Sequence, residues 1–551
     1  MPRSRIPAMN LWRIRPGPKA PVKPDALQTL REFGQRAPQL APAFGVRASS
    51  APLSPGGPAP SGMAGPRKAG TSEVRRHIGI VEWPRNLLLH LQQKVAWPTT
   101  GSWTGWRSRV SGNRGQTPAS ILGGLGLMLC LTAAHAASAL QVTSFDRNGV
   151  LTWTNAPLPG VCTVAVADAP GGPWTPTRNA FATNPAGKLT VPLESGNRFH
   201  RLRAVEVAAT SQGFTNLVQS YGMLETLAGF GGGQMDGVSY WQSWFEGGPA
   251  SWASLSRPHF AMADRAGNVY IADKNSHSFL RVTPEGTIFT HAGTHVGGFD
   301  GEGPAAATNL QLNLPNSLGV RADGTVYVLD TQNGRVRRVS TNGVMATLFL
   351  ATANGSSLAG GRGLWVKDDE SLAYFCAETR VRRWTPGGGL TTLSTGFTDL
   401  GTLFVETNGN LLACDRGAHY VYRITPSGTK AIVASNGTAL GGGDGAPALS
   451  TGLYGVRSTW PVPTGGYLLL THDGCQLWYL DTAGIVHRLL NGASGNTHDG
   501  DGLFFYSPEP KISEGRSVTM DYAGNILICE SDYGYVRRIR FQRLDPATGL
   551  R

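Results

Sequence analysis

The chain has 551 residues, 73 of them Gly and 36 Pro, and only 15% are charged, a composition that favours turns and short strands over long charged helices. Its net charge of +13 would suit a nucleic-acid partner. However, residues 1–112 hold 17 Lys and Arg against 4 Asp and Glu, leaving 32 of each sign in the remainder, so the body is neutral and no nucleic acid is expected as a partner.

Residues 1–112 are rich in Pro, Gly, Ala, Ser and Arg and offer little apolar surface to bury, so they are expected to be a disordered basic leader. Residues 113–139 then have the form of an export signal. Arg107, Arg109 and Arg114 lead into the apolar run Ile121–Thr132, which ends in Ala134-His135-Ala136. That run is shorter than the roughly 20 residues a membrane-spanning helix needs, so no stable span is expected after cleavage. A periplasmic, secreted or extracellular location follows.

Residues 140–206 alternate apolar and polar residues and are expected to form a small β-sandwich-like domain, with strands in NGVLTWTN and RFHRLRAVEV.

From about residue 219 the chain repeats a strand–turn–strand unit. It reads ADRAGNVYIADKNSHSFLRVTPEG from Ala263, VRADGTVYVLDTQNGRVRRVSTNG from Val320, VETNGNLLACDRGAHYVYRITPSG from Val405 and MDYAGNILICESDYGYVRRIRF from Met520. Weaker copies begin at Val366 and Val462, which makes six units at a spacing that suits one four-stranded sheet each. Gly267-Asn268, Asp323-Gly324, Gly409-Asn410 and Gly524-Asn525 supply hairpin turns. The sixth unit stops after Phe541 without a fourth strand, while Met223–Gly229 matches the fourth strand of the first unit, Ile288–Gly293. The N-terminal strand is therefore expected to complete the last unit and close a ring.

GNVYIAD followed by LRVTPEG, with recurring Asp-Gly links such as GGFDGEGPAAATNLQLNLP and GGGDGAPALSTGL, resembles the NHL-repeat family over residues 219–543. The resemblance implies an all-β fold with a six-bladed β-propeller. Some enzymes of similar fold, lyases and lactonases, hold a metal in the central channel. The alternative function is therefore a metal-dependent lyase or lactonase, although no ligand set maps onto these residues.

Six positions end the second strand of the units: Asp273, Asp330, Glu378, Asp415, His472 and Glu530. Recurrence in every unit favours hydrogen bonds to turn amides over a metal ring. The Arg-rich third strands, including Arg335, Arg337, Arg338, Arg537 and Arg538, are read as a solvated face. Calcium would suit the loop acids Asp236, Asp300, Glu302, Asp444, Asp499 and Asp501, though no EF-hand spacing is present. Cys376, Cys414 and Cys529 sit in apolar strands and read as buried free thiols, with Cys475 more exposed. His259 begins an innermost strand and is a candidate for the channel mouth. Tyr240, Trp241, Trp244, Phe245 and Trp252 form an aromatic link, read either as a recognition patch or as a plug between the small domain and the propeller. No catalytic motif stands out, so the favoured function is binding or scaffolding through a protein or carbohydrate ligand.

An export signal starting near residue 107 predicts that translation begins close to Val110 and that residues 1–109 are not made. Intact mass of the precursor checks this, and recovery of peptides from residues 1–100 would refute it.

Overall fold

A computed structural model describes residues 139–542 except 194–197, 232–234 and 493–497, together with a two-residue strand, Trp12–Arg13. The rest of the expected leader, and all of the expected export signal but its last residue, lie outside the described residues. Trp12–Arg13 pairs with Phe199–Glu206, although composition led to an expectation of disorder there. Among the described residues no helix is long and apolar enough to cross a membrane.

The fold is all-β and propeller-like. Six successive sheets from residue 224 onward each run in order from a first strand outward. The first strands are Pro258–Ala263, Pro315–Val320, Gly361–Val366, Leu400–Val405, Val456–Pro461 and Gly515–Met520. Each touches the next, and the last touches the first, so they line the middle of a closed ring.

The second strands have both faces buried between neighbouring sheets, which is why they read as continuous apolar runs instead of alternating ones. In Val269–Asp273, Val269 and Ile271 pack towards the sixth sheet with Leu527 and Cys529, whereas Tyr270 and Ala272 pack towards the second with Leu318 and Val328. An apolar cluster of this kind fills each junction around the ring. The turns leading into these strands need positive φ, and Gly267 and Gly524 both sit at +89°.

The sixth sheet is completed from the far end of the chain. Leu224–Ala228 pairs antiparallel with Tyr535–Ile539, placing Leu224 opposite Ile539 and Glu225 opposite Arg538. Glu225 also receives hydrogen bonds from Arg538 at 2.5 Å and Arg540 at 2.8 Å.

N-terminal to the ring, Gln141–Phe145, Val150–Thr154 and Gly187–Thr190 form one sheet. Gly160–Ala167, Thr175–Ala182 and Phe199–Glu206 form another, and both contribute to a cluster around Trp153, Cys162 and Val164. A helix that the sequence reading did not anticipate, Ser211–Gln219, follows. Thr210 caps it by accepting from the Gly213 amide at 3.0 Å. Its Leu217 and Val218 pack with Val161, Leu468 and Tyr479, and Phe214 stacks on His487 at 4.1 Å. The junction with the ring includes this helix together with Phe181, which stacks on Phe541 at 4.2 Å, and Pro176, whose carbonyl accepts from Gln542.

The buried latch strand predicts that Leu224→Ala destabilises the protein by about 2–5 kcal/mol, read as a lower denaturant midpoint. An unchanged midpoint would mean that the strand does not hold the ring.

Candidate functional site

Four of the six strand-ending residues hold the backbone that enters the first strand of their own sheet, whereas His472 contacts Glu514 instead. Asp273 accepts from the Ser256 amide at 2.6 Å, Asp330 from Asn313 at 2.8 Å, Asp415 from Asp399 at 3.0 Å and Glu530 from Ser513 at 2.8 Å. Burial pushes the Asp273 carboxyl up to about 7 and that of Asp330 up to about 6. The Arg-rich strands are not wholly solvated. Arg337 and Arg537 are fully buried, with Arg337 lying 3.7 Å from Asp330 and Arg537 2.9 Å from Glu530. Strand alternation points both side chains into a sheet–sheet junction, where the latching acids await them.

The loop acids serve separate partners. Asp236 pairs with Lys274, Asp300 accepts from the Gln311 amide, Glu302 binds Arg335, Asp444 accepts from the Arg488 amide, and Asp501 binds Arg537. Asp499 uses its backbone to pair with Lys511. Among the described residues no three His, Cys, Asp or Glu side chains gather to hold a metal, whether calcium in the links or a channel metal for lyase or lactonase chemistry. Cys376, Cys414 and Cys529 are buried free thiols, and Cys475 is partly exposed.

The middle of the ring departs from the repeat. The second residues of the six first strands are His259, Asn316, Arg362, Gly401, Arg457 and Arg516. Matched register around the ring brings these positions to one end of the channel. His259 Nδ1 contacts Asn316 Oδ1, Asn316 Nδ2 donates to the Gly361 carbonyl at 2.7 Å, and Arg362 donates to the Leu400 carbonyl at 2.9 Å. The fifth positions include Trp365, Phe404 and Trp460, so the opposite end is aromatic, with Phe404 edge-on to Trp460 at 5.3 Å.

Residues flanking the charged end complete it. Arg257 reaches Asp532 at 2.6 Å and Glu514 at 3.7 Å. Arg516 and His472 both contact Glu514. Arg416 bridges Asp399 at 2.8 Å and Asp473 at 3.4 Å, and Arg362 also contacts Asp399. Burial opposes ionisation of Glu514, but its bond to His472 and the charge of Arg516 outweigh this and hold it well below the usual carboxylate range. Burial and the neighbouring Glu514 push Asp532 up to about 6. Burial, followed by the charges of Arg516 and Arg457, keeps His259 well below its usual value and therefore neutral near pH 7.

His259 is the second residue of the first strand of its sheet, against Asn316. Arg362, Arg457 and Arg516 were not singled out from the sequence. The signal lay in aligning the units one strand earlier, where Gly361-Arg362, Val456-Arg457 and Gly515-Arg516 occupy the same register.

The aromatic link divides. Trp241 is half-buried and stacks on His295 at 4.7 Å, with Phe245 edge-on to it, and both pack on the junction between the sixth and first sheets. The hydroxyl of the half-buried Tyr240 accepts from the Met235 amide. Trp244 and Trp252 are 73% and 70% exposed. A separate cavity of about 110 Å3, lined by Trp174, Pro176, Arg201 and Asn216 among others, belongs to the N-terminal sheets and helix and lies apart from the mouth.

No family model and no curated protein matches the chain. Among solved structures, a protein of unknown function from Bacteroides thetaiotaomicron is 12% identical, covers 73% of this chain and 97% of its own, and has a TM-score of 0.48. An auxiliary nutrient binding protein from the same organism is 14% identical over 72% of this chain and 94% of its own, with a TM-score of 0.44. Virginiamycin B lyase from Staphylococcus aureus is 12% identical over 51% of this chain and 94% of its own, with a TM-score of 0.36.

The raised Asp273 carboxyl sets a pH dependence. Between its unfolded value near 4 and its folded value of about 7, the native state holds a proton that the unfolded chain releases. The group therefore lowers stability fully above about pH 7, and the penalty fades as pH falls towards 4. Asp273→Asn is expected to reduce the stability difference between about pH 5 and about pH 8 by about 1–3 kcal/mol, measured by denaturant titration at the two pH values.

Proposed function

We propose that this chain is an exported binding protein. In this reading residues 1–112 are a leader and 113–139 an export signal, 140–206 form a small β-sandwich-like domain, and 219–543 form a six-bladed propeller of the NHL-repeat type that seats a protein or carbohydrate ligand at its charged mouth. The observation that carries the reading is the break in repetition at the second position of the first strands. Latching acids recur in four of the six sheets, where each holds backbone amides of its own sheet, whereas His259, Asn316, Arg362, Gly401, Arg457 and Arg516 differ around the ring. Concentrating guanidinium groups at a partly buried site opposes folding, so a ligand that uses them accounts for their presence. Trp244 and Trp252, both largely exposed, offer further apolar contact for a sugar ring or a protein surface.

The test is capture of ligands by the full chain from glycan and protein libraries, repeated with Arg516→Gln and with Trp244→Ala/Trp252→Ala. Arg516→Gln is expected to lose the ligand. The tryptophan variant is expected to weaken capture while shifting stability by no more than about 0.5 kcal/mol per site, as befits exposed positions. Equal capture by all three proteins, or stoichiometric calcium or zinc in the purified protein together with turnover of a lactone, would overturn the binding role.

A further inference from the structure

At the mouth, Arg257, Arg362, Arg416, Arg457 and Arg516 meet four carboxylates: Asp399, Asp473, Glu514 and Asp532. Every carboxylate is engaged by another partner: Asp399 by Arg362 and Arg416, Asp473 by Arg416 and His472, Glu514 by Arg516 and His472, and Asp532 by Arg257. Arg457 makes no ion pair with any of them. It is 2% exposed, and among the described residues its Nη1 has no hydrogen-bond partner. In the second and third sheets the side chain at the same register reaches forward to the next strand, from Asn316 to the Gly361 carbonyl and from Arg362 to that of Leu400. Arg457 breaks that pattern and leaves its Nη1 free. A buried guanidinium that makes no ion pair is costly even with Glu514 near enough to attract it, and its planar fork suits the two oxygens of a carboxylate or phosphate.

A second donor–acceptor pattern lies beside it. Because Asn316 donates through Nδ2 to a carbonyl, its Oδ1 faces His259 and takes the proton on Nδ1. His259 Nε2, buried and also without a partner, is left as an acceptor for a hydroxyl.

We infer that Arg457, flanked by Arg362 and Arg516, anchors an oxyanion of the ligand, a carboxylate or phosphate, while His259 accepts a hydroxyl of the same molecule. The ligand class is therefore an acidic sugar or a similar hydroxylated anion. This rests on the reading that a ligand enters the mouth. Burial and the repulsion of Arg516 and Arg362, only partly offset by Glu514, lower the proton affinity of Arg457, and such an anion relieves that repulsion.

Calorimetric titration of the full chain with D-glucuronate, glucose 6-phosphate and neutral glucose tests the inference. At least one of the two acids should bind more tightly than glucose, and the pair separates a carboxylate source from a phosphate source. Arg457→Gln should weaken that binding about 10- to 100-fold, the loss of one charge-assisted contact. Its melting temperature should not fall, because the substitution removes a buried charge that makes no ion pair, and this guards against misfolding as the cause. Arg457→Lys, which keeps the charge but not the fork, should fall between the two. Acid binding unchanged in Arg457→Gln, or neither acid favoured over glucose, would overturn the inference. If a neutral glycan or a protein were captured and lost on Arg516→Gln while the acids failed, the binding role would stand without the anion. Absence of any ligand at the mouth would remove both.

Discussion

A ring of sheets is stable only if its first and last members meet, because an open array leaves two apolar faces and two strand edges in water. Here the antiparallel hydrogen-bonded pairing of Leu224–Ala228, from the start of the ring, with Tyr535–Ile539, from its end, makes that meeting. The same closure brings Leu227 and Ala228 into the cluster shared by the sixth and first sheets, so one short strand both fills an edge and completes a core. Hydrogen bonds between first strands reinforce it from within. Thr402 reaches Ser458 at 3.1 Å, Ser458 meets the Val518 amide at 3.0 Å, and Thr519 reaches the Ala261 carbonyl at 2.8 Å.

Closure also accounts for the candidate site. Six first strands running in the same direction bring equivalent residues to one end of a channel, so a residue of little consequence in one sheet becomes one of six facing a common axis. Charges that would be ordinary surface groups elsewhere become a crowded, partly desolvated network there, in which Coulomb interactions are stronger than in water. The buried acids at the ends of the second strands act differently. Each fixes its own sheet by accepting backbone amides, and the arginines Arg337 and Arg537 pair with two of them inside sheet junctions. Structure and recognition are thus assigned to neighbouring positions of the same repeat.

The repeated strands, the turn glycines and the borrowed N-terminal strand were legible in the sequence because each is a local pattern, set by backbone geometry and by apolar runs that must be covered on both faces. The position of His259 near the start of a first strand was legible because it follows from the repeat. The helix Ser211–Gln219 was not, since nine residues have little helical stability of their own and this one is held by packing against Tyr479 and His487. Nor was the split of the aromatic link, in which Trp241 is covered by His295 while Trp244 remains in solvent.

The amino-acid sequence by itself determined the all-β class, the repetition and the means of closing the ring, because hydrophobic period and turn chemistry act between residues close along the chain. Only the tertiary structure decided that Arg362, Arg457 and Arg516 converge and that Arg457 is left without an ion pair. Those residues lie in different sheets, and whether a guanidinium is paired depends on which carboxylates the closed ring brings within reach and which of them other cations have already taken.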